Sequence, residues 1–307
     1  MMRLLAAISI IRGALMKNMI ILMALGLLSA CKVSDNSGVN SYTPGASGGN
    51  TMGVSVPNMV YVTPNYVDPE ILVDNYAYFG RWEFDQSIAS SITAVSYDYH
   101  VYLPPEYDLE PERSFPIVYV TDAQYDVSFQ AKVIDVESRP LIMVGITEGP
   151  PGRRATDYIL PGARTYFRFF TEEFVPRVES QYRVVASNRT FEGSSAGGMA
   201  SLVMAFMDNE NPPIFKHHFI FDPYINVSAL NDLIDERIAT HVPFAKTFFI
   251  NSMSGGFTST VVPFVTTLRD REIDKLVVHE RIYDYGHTDA TWVSFSLALS
   301  LAFGNRE

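Results

Sequence analysis

The chain has 307 residues, 47% of them apolar and 13% aromatic, which is enough for one large core or two modest domains and too apolar for a disordered polymer. A formal net charge of −11 argues against general nucleic-acid binding, which sets Lys and Arg against phosphate. With one cysteine, no internal disulfide is possible.

Residues 1–30 read as an export signal and not as part of the fold: Arg3, Arg12 and Lys17 are the only charges, and an apolar run over 19–28 is too short for an ordinary membrane span. Met16-Lys17 offers a more compact start to that signal than Met1. Leu28-Ser29-Ala30-Cys31 resembles a bacterial lipoprotein signal, which implies that Cys31, the sole cysteine, becomes the acylated first residue of the mature protein. Lys32 follows it in place of aspartate, and the same resemblance then implies the outer membrane of a Gram-negative cell. Residues 31–59 are rich in Ser, Gly and Asn and read as a flexible tether, and 60–307 read as one domain. The segment 59–75, broken by Pro64 and Pro69, is expected to lie across the domain surface.

Residues 81–87 and 92–103 read as an outer antiparallel pair, ended by Pro104-Pro105. The apolar runs 115–121 and 141–146 fit strands covered on both faces, with a short crossover helix over 126–135. A loop over 148–162 carries Arg153, Arg154 and Asp157, and Arg154 with Asp157 is expected to form a structural ion pair that holds it; Arg153 is expected to be exposed. Residues 166–182 read as a helix with Phe167, Phe170, Phe174 and Val178 on one stripe, interrupted near Pro176. Further strands are expected at 182–187, 218–221, 247–250 and 276–283, and helices at 199–207, 261–270 and 292–303. Trp292 and Phe295 on the last helix are assigned to the core, and Tyr125 to a pocket wall. The sum is an α/β fold with a mostly parallel, doubly covered central sheet.

Between the strand over 182–187 and the helix over 199–207 stands Gly193-Ser194-Ser195-Ala196-Gly197, one complete G-x-S-x-G. A sharp strand–turn–helix needs small residues around its tip, and these are Gly, Ala and Gly; Ser195 is then the candidate nucleophile, and the Ala196 N–H at a helix N-terminus a candidate oxyanion donor. A glycine-rich turn without chemistry is the competing reading. No H-E-x-x-H motif, cysteine cluster or G-x-x-x-x-G-K-[ST] loop is present, so neither a metal nor another cofactor is expected.

Several pieces in order resemble the esterase D and enterochelin-esterase-like group of α/β-hydrolases: Val101-Tyr102-Leu103-Pro104-Pro105-Glu106-Tyr107, Ile117-Val118-Tyr119-Val120-Thr121-Asp122, Arg154-Ala155-Thr156-Asp157-Tyr158, the helix through Phe174-Val175-Pro176, the elbow at Ser195, and Gly286-His287 before the last helix. They span most of residues 95–303. The resemblance implies an α/β-hydrolase fold and cleavage of a small-molecule ester, siderophores among the substrates of some members, with Ser195 as nucleophile and His287 as base. It also implies a second oxyanion N–H just past Asp122, at Ala123 or Gln124. The group's usual acid follows the strand over 247–250, where this chain has Asn251-Ser252 and no carboxylate. Asp222, at the end of the preceding strand, is the leading replacement; Asp284 and Asp289 flank His287 closely, and Asn251 is a further orienter. The absent acid leaves a non-catalytic binding protein as the second reading, and acyl transfer or peptide cleavage would use the same serine and histidine.

Overall fold

The computed structural model describes residues 76–304 except Thr288 and the side chain of Asp126. The predicted leader, Cys31, the tether, the segment 59–75 and the domain start at residue 60 lie outside the described residues. The fold is that of an α/β-hydrolase: an eight-stranded mixed sheet with helices on both faces, in the order β1-β2-β4-β3-β5-β6-β7-β8. The strands are β1 (Arg81–Ala89), β2 (Ser96–Leu103), β3 (Phe115–Val120), β4 (Ile142–Ile146), β5 (Val184–Ser194), β6 (His217–Phe221), β7 (Thr247–Gly255) and β8 (Val277–Gly286). β1 and β2 join antiparallel at one edge, and the other six run parallel.

Alternation along the strands feeds two apolar layers. Ile117, Tyr119 and Phe191 face an aromatic layer with Tyr97, Phe170 and Phe174, whereas Val118, Val120, Phe219 and Phe221 face the opposite one with Phe295. Every residue of β4 and β6 is buried, which is why these strands read as continuous apolar runs. β2 starts later than the sequence suggests: Ile92 and Thr93 lie in a turn where Ser90 Oγ accepts from both their amides.

The helices in chain order are α1 (Pro105–Leu109), α2 (Ala123–Val136), α3 (Arg154–Asp157), α4 (Ala163–Arg168), α5 (Val175–Glu179), α6 (Ala196–Met207), α7 (Val227–Ile238), α8 (Thr258–Asp270) and α9 (Thr291–Phe303). A π-helical stretch, Phe169–Phe174, joins α4 to α5. The wider turn shifts the predicted stripe: Phe169 as well as Phe170 is fully buried, and Phe167 is only partly so. Pro176 is the second residue of α5 and comes directly after the π-helical stretch, where the regular backbone ladder is already interrupted.

The connections place the site. The chain leaves β3 through α2 toward β4 on one side, and leaves β5 through α6 toward β6 on the other. The sheet therefore has its topological switch between β3 and β5, the place where open parallel sheets leave a crevice beyond their strand ends. Register brings the ends level: Val120 pairs with Glu192, Ser194 with Phe221, and Phe221 with Asn251. Asp122, Ser195 and Asp222 consequently emerge at one edge of the sheet.

Candidate active site

Ser195 joins β5 to α6 with φ 56° and ψ −117°, a strained conformation that L-residues rarely adopt. Close packing makes the flanking glycines obligatory: a Cβ on Gly193 would overlap the Gly197 carbonyl, and one on Gly197 would overlap Thr121 Oγ1. The turn is pinned from three sides. Ser195 N donates to Phe221 O at 2.9 Å, and Ser195 O accepts from Met199 N at 3.2 Å and Tyr224 N at 3.0 Å. Ala196 and Ala123 are the first residues of α6 and α2, positions whose amides have no acceptor within their own helix and point outward from it.

His287 follows β8. Its Nδ1 lies 2.6 Å from Asp222 Oδ2, and Phe257 packs edge-on against the ring at 4.8 Å. Asp222 is fully buried; its Oδ1 accepts from Met253 N at 3.1 Å and Phe257 N at 3.0 Å. Its backbone has φ 37°, held by Asp222 N donating to Asn251 Oδ1 at 2.6 Å. Asn251 Nδ2 in turn donates to Ser294 Oγ. Asn251 thus fixes the main chain of Asp222 and does not face the imidazole. Of the flanking carboxylates, Asp284 accepts from Ser254 Oγ at 2.6 Å, and Asp289 packs against Gly286. A Cβ on Gly256 would overlap Asp222 Oδ2, so the turn after β7 needs glycine there.

Ser195 and His287 line one cleft of about 540 Å³, within the range of small-molecule sites. Asp122, Arg154, Tyr125 and Glu192 line it too, and so does Trp292, which the sequence assigns to the core; Phe295 is in the core. The other histidines lie elsewhere. His217 and His218 are buried in β6, His279 stacks on Phe249 at 4.9 Å, His100 accepts from Asp85 N, and His241 lines a separate pocket. Burial pushes the His217 imidazole down to about 4, so it is a neutral core group.

The predicted Arg154–Asp157 pair does not form. Within the single turn of α3, Asp157 is four residues from Arg153, the spacing that puts two side chains on one face, and Arg153 Nε lies 2.9 Å from Asp157 Oδ1. Tyr97 adds an O–H donor to Asp157 Oδ2 at 2.7 Å, so Arg153 is tied down where the sequence suggests exposure. Arg154 turns to the cleft instead and grips Asp122: Nε to both carboxylate oxygens at 2.8 and 3.0 Å, and Nη2 to Oδ2 at 2.8 Å. Gln124 donates to Asp122 Oδ1 at 3.1 Å. Burial lifts the Asp122 pKa and outweighs the opposing pull of Arg154.

Two site features escape sequence reasoning: this Asp122 clamp and Glu192, a lone carboxyl in a buried strand one residue before the elbow. Among the described residues there is no group of three or more His, Cys, Asp or Glu that could hold a metal ion, and no helix long and apolar enough to cross a membrane.

A family model described as Putative esterase matches residues 90–292. Ferri-bacillibactin esterase BesA of Bacillus subtilis is 22% identical over 159 residues, 42% of this chain and 54% of that protein, so the chain spans about half the length of this curated relative. Among solved structures, an IroE-like serine hydrolase from Shewanella oneidensis matches with TM-score 0.60 at 19% identity, covering 72% of this chain and 78% of that one. BES protein from Bacillus cereus matches with TM-score 0.59 at 22% identity, covering 74% and 96%. Siderophore hydrolase EstB from Aspergillus nidulans matches with TM-score 0.60 at 16% identity, covering 72% and 94%.

Proposed function

The chain belongs to the esterase family whose model it matches over residues 90–292, and from that premise we propose that it is a serine hydrolase cleaving a carboxylic ester of a small molecule. The observation that carries the reading is the 2.6 Å contact between His287 Nδ1 and the buried Asp222 carboxylate, at the rim of the cleft that Ser195 lines. Asp222 accepts the Nδ1–H and so leaves Nε2 as the basic nitrogen. Nε2 takes the proton of Ser195 as Oγ adds to the ester carbonyl. The Ala196 and Ala123 amides receive the oxyanion. Collapse expels the alcohol, which takes that proton from His287, and leaves an acyl group on Ser195 Oγ. A water then gives its proton to Nε2, attacks the acyl carbon and releases the acid, and Ser195 regains its proton.

The similarity to a protein named ferri-bacillibactin esterase, together with the fold shared with one named siderophore hydrolase, favours a siderophore-type ester as substrate. The basic, apolar and small-residue succession before Cys31 favours export with lipid attachment at Cys31, and Lys32 in place of aspartate after it favours residence at the outer membrane. Hydrolysis of a short-chain aryl ester by the protein and by Ser195→Ala tests the reaction. Turnover confined to the wild type supports the reading, and turnover that persists in Ser195→Ala sinks it.

A further inference from the structure

Glu192 is a carboxyl in the wall of the cleft that the proposed hydrolysis leaves unused. It sits on β5 between Val120 of β3 and Phe219 of β6. Its backbone carbonyl is occupied, accepting from Thr121 N at 3.1 Å and Thr121 Oγ1 at 3.3 Å. Because Phe191 faces the aromatic layer, Glu192 faces the other, among Val118, Val120, Phe219 and Phe221. The residue is 1% exposed, and its Oε1 finds no hydrogen-bond partner among the described residues. A buried polar atom left unpaired is costly, and in a native protein it calls for a reason. Here the reason is at hand, since Glu192 lines the same cleft as Ser195 and His287, where Val127, Phe129 and Trp292 supply apolar wall beside the polar Gln130 and Thr291.

We infer that Glu192 is a specificity-determining residue whose carboxyl hydrogen-bonds an uncharged hydroxyl or amide group of the substrate, carried on a part that otherwise fits an apolar wall. Burial, and then the neighbouring Asp122 carboxylate, hold the Glu192 pKa well above the usual carboxylate range, which favours the protonated acid. A protonated carboxyl both donates and accepts, so its natural complement is a group that does the same. A substrate offering only methyl or methylene at that point leaves the buried carboxyl unpaired, and a charged carboxylate would be stripped of water there. Selectivity of this kind exceeds what an apolar pocket obtains from one methyl group.

The inference rests on the hydrolase reading, and its test separates the two. Aryl esters of 3-arylpropanoic acids are prepared with a methyl, hydroxyl or carboxamide substituent walked around the acyl ring, and in a second set around the alcohol ring. Wild-type kcat/KM is expected to favour a hydroxyl or carboxamide member over its methyl twin by about tenfold or more, chiefly through KM. Glu192→Gln keeps an amide donor and acceptor and retains the preference; Glu192→Leu flattens or reverses it. The corresponding non-hydrolysed amides are titrated calorimetrically against the same three proteins. A preference seen in binding without any turnover would contradict the hydrolase reading and sustain the role of Glu192. A wild-type profile flat across both sets, in turnover and in binding, overturns the inference whatever the stability of the variants.

Discussion

Asp122 and Asp222 are near-duplicates in position and opposites in use. Each follows a parallel strand at the same edge of the sheet, and each takes a left-handed φ, 62° and 37°. Each carboxylate is packed beside a glycine that closes against it, Gly197 for Asp122 and Gly256 for Asp222. The partners differ. Asp122 meets the guanidinium fork of Arg154, a group that keeps its proton at any working pH, so the pair is a static strut between the β3 exit and the loop through α3. Asp222 meets the Nδ1 side of an imidazole, and two backbone amides fix its other oxygen. One strand-end geometry thus supplies either a brace or, on the proposed mechanism, the carboxylate that orients a histidine, and the residue arriving from elsewhere in the chain decides which.

The contrast is sharpest in Asp222→Asn against Asp122→Asn. On the proposed mechanism, losing the carboxylate beside His287 Nδ1 is expected to lower kcat about 10³- to 10⁴-fold, whereas Asp122→Asn, with the strut weakened, is expected to cost about tenfold or less. Equal losses in steady-state assays would erase the distinction. Gly256→Ala probes the same point while keeping the carboxylate: the added Cβ displaces Asp222 Oδ2 and is expected to reduce kcat about 10²-fold with little change in KM, since a small misplacement at a reacting centre is that costly. The smallest effect on turnover belongs to Arg154→Met, which acts on stability, by about 1–3 kcal/mol in denaturant unfolding at neutral pH.

That last deficit carries a pH signature. The folded-state pKa of Asp122 is already raised by burial, and Arg154 is what opposes the rise. Without Arg154 it climbs further. Between the unfolded and folded values the folded protein binds more protons, so stability falls as pH rises through that window and recovers as pH drops. The gap between wild type and Arg154→Met is therefore expected to narrow from pH 7 to pH 5. A gap that is constant or widens on acidification would mean that Arg154 acts through packing and not through the Asp122 charge.

The elbow was legible because its constraints are local. Steric closure at a strand–turn–helix tip demands small residues at fixed offsets, and Gly193, Ala196, Gly197 and Gly198 announce it. His287 was legible in the same way, as a Gly-His step between a strand and a helix. Asp222 was harder to read because its pairing with His287 spans 65 residues and depends on register: only the alignment of Phe221 with Asn251 sets its backbone. The Asn251 amide then holds the main chain of Asp222 from the place where the resemblance puts a carboxylate. Arg153 and Arg154 are adjacent and alike in sequence, and one turn of α3 sends them to different acids. α7 carries a readable signature that the predicted order omits, with Asn226 Oδ1 accepting from Ala229 N at 3.2 Å and Leu230, Leu233 and Ile234 buried at helical spacing. Glu192 gave no local signal, because a carboxyl in a buried strand is interpretable only once the cleft beside it is known.

The most direct test of the central claim is reaction with a fluorophosphonate, followed by mass mapping of the adduct. If Ser195 is the nucleophile and the Asp222–His287 pair activates it, one adduct forms, it maps to Ser195, it is absent in Ser195→Ala, and it forms far more slowly in His287→Ala. An unlabelled but folded wild-type protein, or an adduct on another residue, would contradict the account.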